Sequence, residues 1–209
     1  MAARDAGTVF VLDDDASMRD SLRWLIQSVG LSVEAFGSAS DFLATYQPER
    51  SGCLVLDVRM RGMSGLELQE ELARRGISIP TIIVTGHADV PMAVRAMKAG
   101  ALDFLEKPFS DQALLDRIHR ALEIDRSARR SREERADVLS RLAVLTRRER
   151  EIVDLLVDGK ANKEIAAELG LSTRTVEGHR AHIMDKVGAA SFAELVRMTL
   201  LAREQAAED

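Results

Sequence analysis

The chain has 209 residues, a formal net charge of −5 and a single cysteine. This length suits two domains, and a hydrophobic content of 46% with only 4% aromatic residues favours cores built from aliphatic side chains. One cysteine cannot form an internal disulfide, and no apolar stretch approaches the roughly 18 residues of a membrane span, so we expect a cytoplasmic protein with no membrane partner.

Residues 1–125 alternate short apolar runs with longer amphipathic runs. Helices are predicted between five strands, which lie at 8–12, 31–36, 52–57, 80–85 and 101–105. This alternation is typical of an α/β fold in which helices cover both faces of a parallel sheet. The negative charge of the chain is concentrated in this region, which suits a site for a cation.

Polar residues follow the predicted strands. Asp13 and Asp14 end the first strand, and Asp57 ends the third. The carboxyl ends of neighbouring parallel strands meet in one crevice, where ligands bind. Three carboxylates there repel each other unless a cation offsets them, and Mg²⁺ prefers such oxygen ligands. Because Thr85 and Lys107 also follow strands, the set predicts a site that accepts a phosphoryl group.

The order of these residues resembles the receiver domain of bacterial two-component response regulators over about residues 6–125. Residues 85–109 resemble the FixJ type in particular. The resemblance implies a flavodoxin-like fold with five parallel strands, in which a sensor histidine kinase phosphorylates Asp57. It also implies that phosphorylated chains form a homodimer through the fourth helix, fifth strand and fifth helix. The surface candidates for this pairing are Val90, Pro91, Met92, Arg95, Lys98, Asp103 and Asp111.

The same resemblance implies roles for the residues around the acceptor. Mg²⁺ would be held by Asp14, by Asp57 and by the backbone carbonyl of Arg59, and Asp13 would hold it through a water molecule. The residues implied to contact the phosphoryl group or to switch position are Thr85, Lys107 and Phe104.

One position departs from the receiver pattern, because Arg61 stands where these domains commonly carry proline. Proline would fix φ near −65° just past the acceptor. Arginine loosens that constraint and adds a cation near the acids, and its effect on phosphorylation is left open. His87 could be imagined as a catalytic base, but in this family it falls in the mobile loop after the fourth strand, so we assign it no such role.

A charged segment, 126–140, connects the two halves of the chain. It contains no proline or glycine that would interrupt a helix, so a helical linker is predicted. A disordered charged linker is the alternative, since charge-rich segments often fail to bury a core.

The remaining residues, 141–209, form a predicted all-helical domain. Two amphipathic helices at 162–170 and 174–187 are joined by a short turn, which is typical of a helix-turn-helix that places its second helix in the major groove of DNA. The helical period separates an apolar face from an outward one. The predicted DNA contacts on the outward face and its flanks are Arg174, Thr175, Glu177, Gly178, Arg180, Ala181 and Lys186.

This domain resembles the DNA-binding domain of LuxR/NarL-type regulators over about residues 142–205. The motifs that carry the resemblance lie at 145–151, 162–166, 172–177 and 183–187, and Gly178 departs from the bulkier residue usual there. Together the two resemblances imply a phosphorylation-controlled transcription factor and not an enzyme. Its implied partners are the kinase, promoter DNA and RNA polymerase.

Two other functions compete with this interpretation. Hydrolases with an aspartate nucleophile usually carry a second acid two residues later as general acid, whereas this chain has Arg59 at that position. A phosphate-sink receiver without a gene-regulatory role would leave the helix-turn-helix unexplained. The sequence does not reveal the kinase and its stimulus, the operator, or whether target genes are raised or lowered.

Overall fold

A computed structural model describes residues 7–86 and 90–208 of the chain, with side chains described as far as Arg203. His87 lies outside the described residues. The chain divides into two compact units, Met1–Arg129 and Arg130–Asp209, each of which is treated by itself.

The first unit is a five-stranded parallel sheet with helices, as the sequence predicts. The strands are β1 (Thr8–Leu12), β2 (Ser32–Phe36), β3 (Gly52–Asp57), β4 (Thr81–Thr85) and β5 (Asp103–Glu106). Their order across the sheet is β2-β1-β3-β4-β5. The helices are α1 (Ala16–Ser28), α2 (Ala39–Thr45), α3 (Gly65–Arg74), α4 (Val90–Lys98) and the first part of α5 (Asp111–Ala143).

The last strand begins two residues later than predicted. Gly100 adopts a φ of 92° after α4, and the amide of Ala101 still donates to the carbonyl of Ala96 at 3.0 Å. This hydrogen bond ties Ala101 to the end of α4. The apolar residues at 101–102 therefore belong to the helix terminus and not to β5.

Side chains alternate between two cores, one on each face of the sheet. Phe10 and Leu54 point into one cluster, whereas Val9, Val11 and Cys53 point into the other. The central strands β1, β3 and β4 are therefore buried on both faces, which explains their nearly continuous apolar runs. Burial raises the pKa of the Cys53 thiol to about 12, which is typical of an unreactive structural cysteine.

The second unit is all-helical. It contains the end of α5, then α6 (Arg147–Val157), α7 (Asn162–Leu169), α8 (Thr173–Val187) and α9 (Phe192–Glu208). Ile152, Ile165 and Ile183 are fully buried in its core. The segment 126–140 lies within α5, so it is helical as predicted. Within the described part of the chain, no helix is both long and apolar enough to cross a membrane.

The break between α5 and α6 was not predicted from the sequence. Thr146 begins α6 as its N-cap, where its hydroxyl accepts from the amide of Glu149 at 3.3 Å. The Glu149 carboxylate accepts in return from the amide of Thr146 at 2.7 Å. This reciprocal capping box fixes Thr146 as the start of a new helix.

Candidate functional site

The sheet topology brings the predicted acids to one edge. β1 pairs with β3 so that Leu12 lies beside Leu56, and the residues that follow them, Asp13 and Asp57, become neighbours. β4 lies on the other side of β3 and ends at Thr85. The crevice at the carboxyl ends of these three strands is the position where open α/β sheets bind ligands.

Lys107 bridges two of the acids. Its Nζ atom lies 2.8 Å from Oδ2 of Asp13 and 2.9 Å from Oδ1 of Asp57. The remaining oxygens accept from backbone amides, Oδ1 of Asp13 from Asp15 at 2.9 Å and Oδ2 of Asp57 from Arg59 at 2.6 Å. Each oxygen of the two buried carboxylates is thus held by a donor, which fixes both side chains in place.

The electrostatics of this triad follow from its burial. Burial is the largest influence on Asp57 and raises its pKa; Lys107 acts in the opposite direction, and Asp13 adds to the increase. For Lys107, burial alone would lower the pKa, but the hydrogen bonds and charges of both acids outweigh it and raise the pKa. Lys107 therefore keeps its charge, and the Asp57 carboxylate is more basic than an ordinary aspartate, which favours its use as a nucleophile.

The other predicted receiver residues lie on β4 and β5. The Lys107 amide donates to the carbonyl of Thr85 at 2.8 Å, and the Lys107–Pro108 peptide bond is cis. Thr85 is completely buried at the end of β4. Phe104 is half-buried on β5 and packs against the core cluster that contains Ile83 and Ala96.

The third predicted acid, Asp14, is held differently. Its Oδ2 atom accepts from Nε of Arg61 at 3.1 Å and from the Arg61 amide at 3.3 Å. Among residues 7–86 and 90–208, no three His, Cys, Asp or Glu side chains converge into a group ready to hold a metal ion. Lys107 pairs with both Asp13 and Asp57, and Arg61 pairs with Asp14.

The donor set nevertheless fits the cation that the resemblance implies. Two aspartate carboxylates and a backbone carbonyl at 59 are hard oxygen donors, which is the chemistry that Mg²⁺ requires. Asp14 is the more accessible acid, with 26% of its side chain exposed, whereas Asp57 is buried. The site therefore combines a solvent-facing carboxylate with a buried one.

Two residues that support Asp57 and Asp13 were missed from the sequence. A Cβ atom on Gly65 would lie 2.2 Å from the Asp57 carbonyl oxygen, so only glycine lets α3 begin this close to the acceptor. The capping sequence at 64–67 was the available signal. Arg19 donates from Nη1 to the Asp13 carbonyl at 2.6 Å, a long side-chain contact that no local pattern indicates.

In the second unit, α7 and α8 form the predicted helix-turn-helix. Gly170 ends α7 with a φ of 66°, and Ser172 caps α8 by accepting from the amide of Thr175 at 3.0 Å. Val176, Ile183 and Val187 are buried. The predicted outward residues that lie exposed on α8 are Arg174, Thr175, Glu177, Gly178 and Ala181.

Two of the predicted DNA contacts, on the flanks of the outward face, have partners within the unit. Arg180 donates from Nη1 to Oδ1 of Asn162 at 2.8 Å, and its guanidinium lies 4.9 Å from the centre of the Phe192 ring. The Nζ atom of Lys186 lies 2.9 Å from Oε2 of Glu149. Both side chains therefore fix α8 to its neighbours in the free protein.

Glu149 is the residue that sequence reasoning missed here. It is buried, and the amide of Thr146, followed by Lys186, lowers its pKa to about 2. One carboxylate thus both caps α6 and anchors the C-terminal part of α8, and the only sequence signal was the Thr-x-x-Glu spacing.

Comparison with protein families assigns both units. Residues 9–119 match the family described as response regulator receiver domain, and residues 143–199 match bacterial regulatory proteins of the luxR family.

Individual relatives match nearly the whole chain. Nodulation protein W of Bradyrhizobium diazoefficiens is 52% identical over 91% of this chain and 84% of that protein. The transcriptional regulatory protein FixJ of Azorhizobium caulinodans is 51% identical over 96% of this chain and 95% of that protein. Among solved structures, the response regulator StyR aligns with a TM-score of 0.84 and 49% identity, over 92% of this chain and 97% of that one.

Proposed function

The chain belongs to the FixJ-like response regulators, which join a receiver domain to a LuxR-type DNA-binding domain, and on this premise we propose that phosphorylation of Asp57 controls promoter binding. It is a transcription-regulating two-component response regulator, not an enzyme, and nothing supports the alternative of a phosphohydrolase. This architecture implies a kinase and promoter DNA as partners. We assign the receiver to 1–125, the linker to 126–140 and the DNA-binding domain to 141–209.

The observation that carries the proposal is the Asp13–Lys107–Asp57 triad. A carboxylate oxygen of Asp57 attacks the phosphorus atom of a phosphohistidine on the kinase. A P–O bond forms as the P–N bond breaks, and the electron pair returns to the imidazole nitrogen. Lys107 then shifts its charge toward a phosphoryl oxygen, which it can reach because it already lies 2.9 Å from the acceptor carboxylate.

Receiver domains generally bind Mg²⁺ at the phosphorylation site. In this chain the ligands would be Asp14, Asp57 and the backbone carbonyl of Arg59, with Asp13 acting through a water molecule. When bound, the ion offsets the negative charge that the carboxylates and the phosphoryl oxygens bring together. The chain's own part is to hold Asp57 rigid, which the Arg59 amide and Lys107 do.

We assign the switch to Thr85 and Phe104. Thr85 ends β4 beside β3, at the same edge of the sheet as Asp57, and this position supports a hydrogen bond from its hydroxyl to a phosphoryl group on Asp57. Phe104 is half-buried next to α4, and an inward turn would change the surface of β5 and α4. The phosphoryl group thereby biases an equilibrium between two surfaces.

An exposed apolar stripe on α4 supports the proposed homodimer. Val90, Val94 and Met97 are 77%, 47% and 49% exposed, and their spacing places them on one face of the helix. Of the residues predicted for this surface, Met92 and Asp103 are instead half-buried. Met92 packs against the core because it lies on the opposite side of α4, and Asp103 pairs with Nε of Arg117 at 3.1 Å. A DNA-bound dimer would then contact RNA polymerase.

A gel-shift experiment tests the proposed function. The full chain, treated with acetyl phosphate and Mg²⁺, selects its site from random DNA duplexes, and the affinity for that site is measured with and without the phosphodonor. We expect tighter binding after phosphorylation, with no change in Asp57→Asn. Asp20→Asn, an exposed position of α1 outside the proposed dimer surface, is the matched control and should behave as the parent chain. Equal binding by Asp57→Asn and the phosphorylated parent would contradict the proposal.

A further inference from the structure

We propose that Arg61 is a built-in counterion of Asp14 that a divalent cation must displace, and that it thereby sets the metal affinity of the phosphorylation site. The inference rests on the proposed function, because it takes Asp14 as a metal ligand. Its basis is the pair of hydrogen bonds that Arg61 donates to one oxygen of Asp14, from Nε at 3.1 Å and from the backbone amide at 3.3 Å.

The competition follows from the positions of the three acids. Lys107 already offsets Asp13 and Asp57, and both of these acids are buried. Asp14 is the partly exposed member, and Arg61 already neutralises the carboxylate that a metal would bind. A carboxylate that faces a guanidinium loses that interaction when it turns to a cation, so the pair lowers the net affinity for the ion.

The exposure of Arg61 makes this a moderate effect. Its side chain is 88% exposed, so it can leave Asp14 for solvent without uncovering a core. Exposed ion pairs of this kind contribute little, which corresponds to about a two- to fivefold change in an equilibrium constant. Arg61 therefore lowers the metal affinity of the site moderately and does not prevent metal binding.

The backbone of residue 61 contributes separately from its side chain. The amide of Arg61 donates to the same Asp14 oxygen, so an alanine at 61 would keep one of the two donors. A proline would remove both, because it has neither the guanidinium nor an N–H. The residue at 61 thus sets how strongly Asp14 is held before a metal arrives.

The test is a Mg²⁺ titration of the full chain, without phosphodonor, followed by nuclear magnetic resonance of the backbone amides at constant ionic strength. We expect Arg61→Ala to bind Mg²⁺ about two- to fivefold more tightly than the parent. The difference should shrink as salt is raised, because screening weakens an exposed pair. Arg74→Ala removes another exposed arginine of the same unit, one paired with Glu71 on its own helix, and should leave the affinity unchanged.

Asp14→Asn separates failure of this inference from failure of the proposed metal site. If Asp14→Asn loses Mg²⁺ binding while Arg61→Ala binds as the parent does, the counterion role is wrong and the metal site stands. If Asp14→Asn binds normally, both are wrong. Equal tightening in Arg61→Ala and Arg74→Ala would reveal a general charge effect and would also overturn the inference.

Discussion

The ammonium of Lys107 lies 2.9 Å from the acceptor carboxylate of Asp57, although 50 positions separate them in the chain. The contact exists because β5 lies beside β4, and β4 beside β3, so that residues following strands from distant parts of the sequence share one edge. Asp13 takes the other side of the ammonium at 2.8 Å. The pairing keeps two buried acids together in the free protein.

Lys107→Met should therefore destabilise the first unit in a pH-dependent way. Loss of the ammonium leaves two buried carboxylates unpaired, which we expect to cost about 1–3 kcal/mol at neutral pH. The folded pKa of Asp57 is already raised by burial and should rise further, so the folded state takes up a proton more readily than the unfolded chain. The destabilisation by Lys107→Met is then largest at pH values above the raised folded pKa of Asp57. It decreases as the pH falls toward 3.8, the ordinary pKa of an aspartate.

Urea unfolding followed by the fluorescence of Trp24, the one tryptophan in the chain, measures this loss at several pH values. Lys98→Met, on the exposed side of α4, is the control and should be nearly neutral. An equal loss for Lys107→Met at neutral and acidic pH would argue against the charge explanation.

The rule that residues at the ends of parallel strands share one edge of the sheet was sufficient to predict the core of the site. Asp13, Asp57 and Lys107 each follow an apolar run, and a parallel sheet brings such ends together whatever the details of packing. The sequence could not predict that Arg61 pairs with Asp14, because both ends of that contact lie in loops and depend on side-chain rotamers. Gly65 was missed for a related reason, since its need for glycine arises from the approach of another segment's backbone.

In the second unit, too, local features could be predicted and contacts between distant side chains could not. The positions of α7 and α8 follow from helical periodicity and capping, which are local. The Lys186–Glu149 contact joins residues 37 positions apart and was not predicted, so Lys186 was interpreted from its position on α8 alone. A charged side chain at a helix edge can meet either DNA or a neighbouring helix, and sequence pattern does not distinguish them.

Replacement of Lys186 should change the titration of Glu149. The Thr146 amide and then Lys186 lower the pKa of Glu149 from its ordinary 4.5 to about 2, so Lys186→Ala should raise it and leave it below 4.5. Because the folded pKa is lowered, Glu149 contributes stability above about pH 4.5 that is lost as the pH falls toward 2. Nuclear magnetic resonance of the side-chain carboxyl measures the shift directly, and an unchanged value in Lys186→Ala would refute the coupling. Lys163→Ala, at an exposed position of α7, is the control.

Two glycine-to-alanine changes should have opposite signs. At Gly178, on the exposed face of α8, an added Cβ would meet no atom within 4 Å apart from its chain neighbours and the nearby backbone of its own helix, so Gly178→Ala should stabilise the helix by up to about 1 kcal/mol. At Gly65 the Cβ would lie 2.2 Å from the Asp57 carbonyl oxygen, so Gly65→Ala should be destabilising. Thermal unfolding of the two variants tests the pair, and destabilisation by Gly178→Ala would show that the glycine is needed for more than the shape of the helix.

We expect two kinds of residue on the outward face of α8: residues that recognise bases and residues that contact only phosphate. Glu177 is exposed there and can accept from cytosine N4, so Glu177→Ala should change the base preferred at one position of the selected site. Arg174 is exposed at the start of α8, and Arg174→Ala should weaken all sites alike and reduce the salt slope by about one. Arg197→Ala, at an exposed position of α9, is the control. Site selection from random duplexes and salt titrations measure both effects. If Glu177→Ala selected the parent motif and Arg174→Ala kept the salt slope of the parent, base recognition and phosphate contacts would lie on another element.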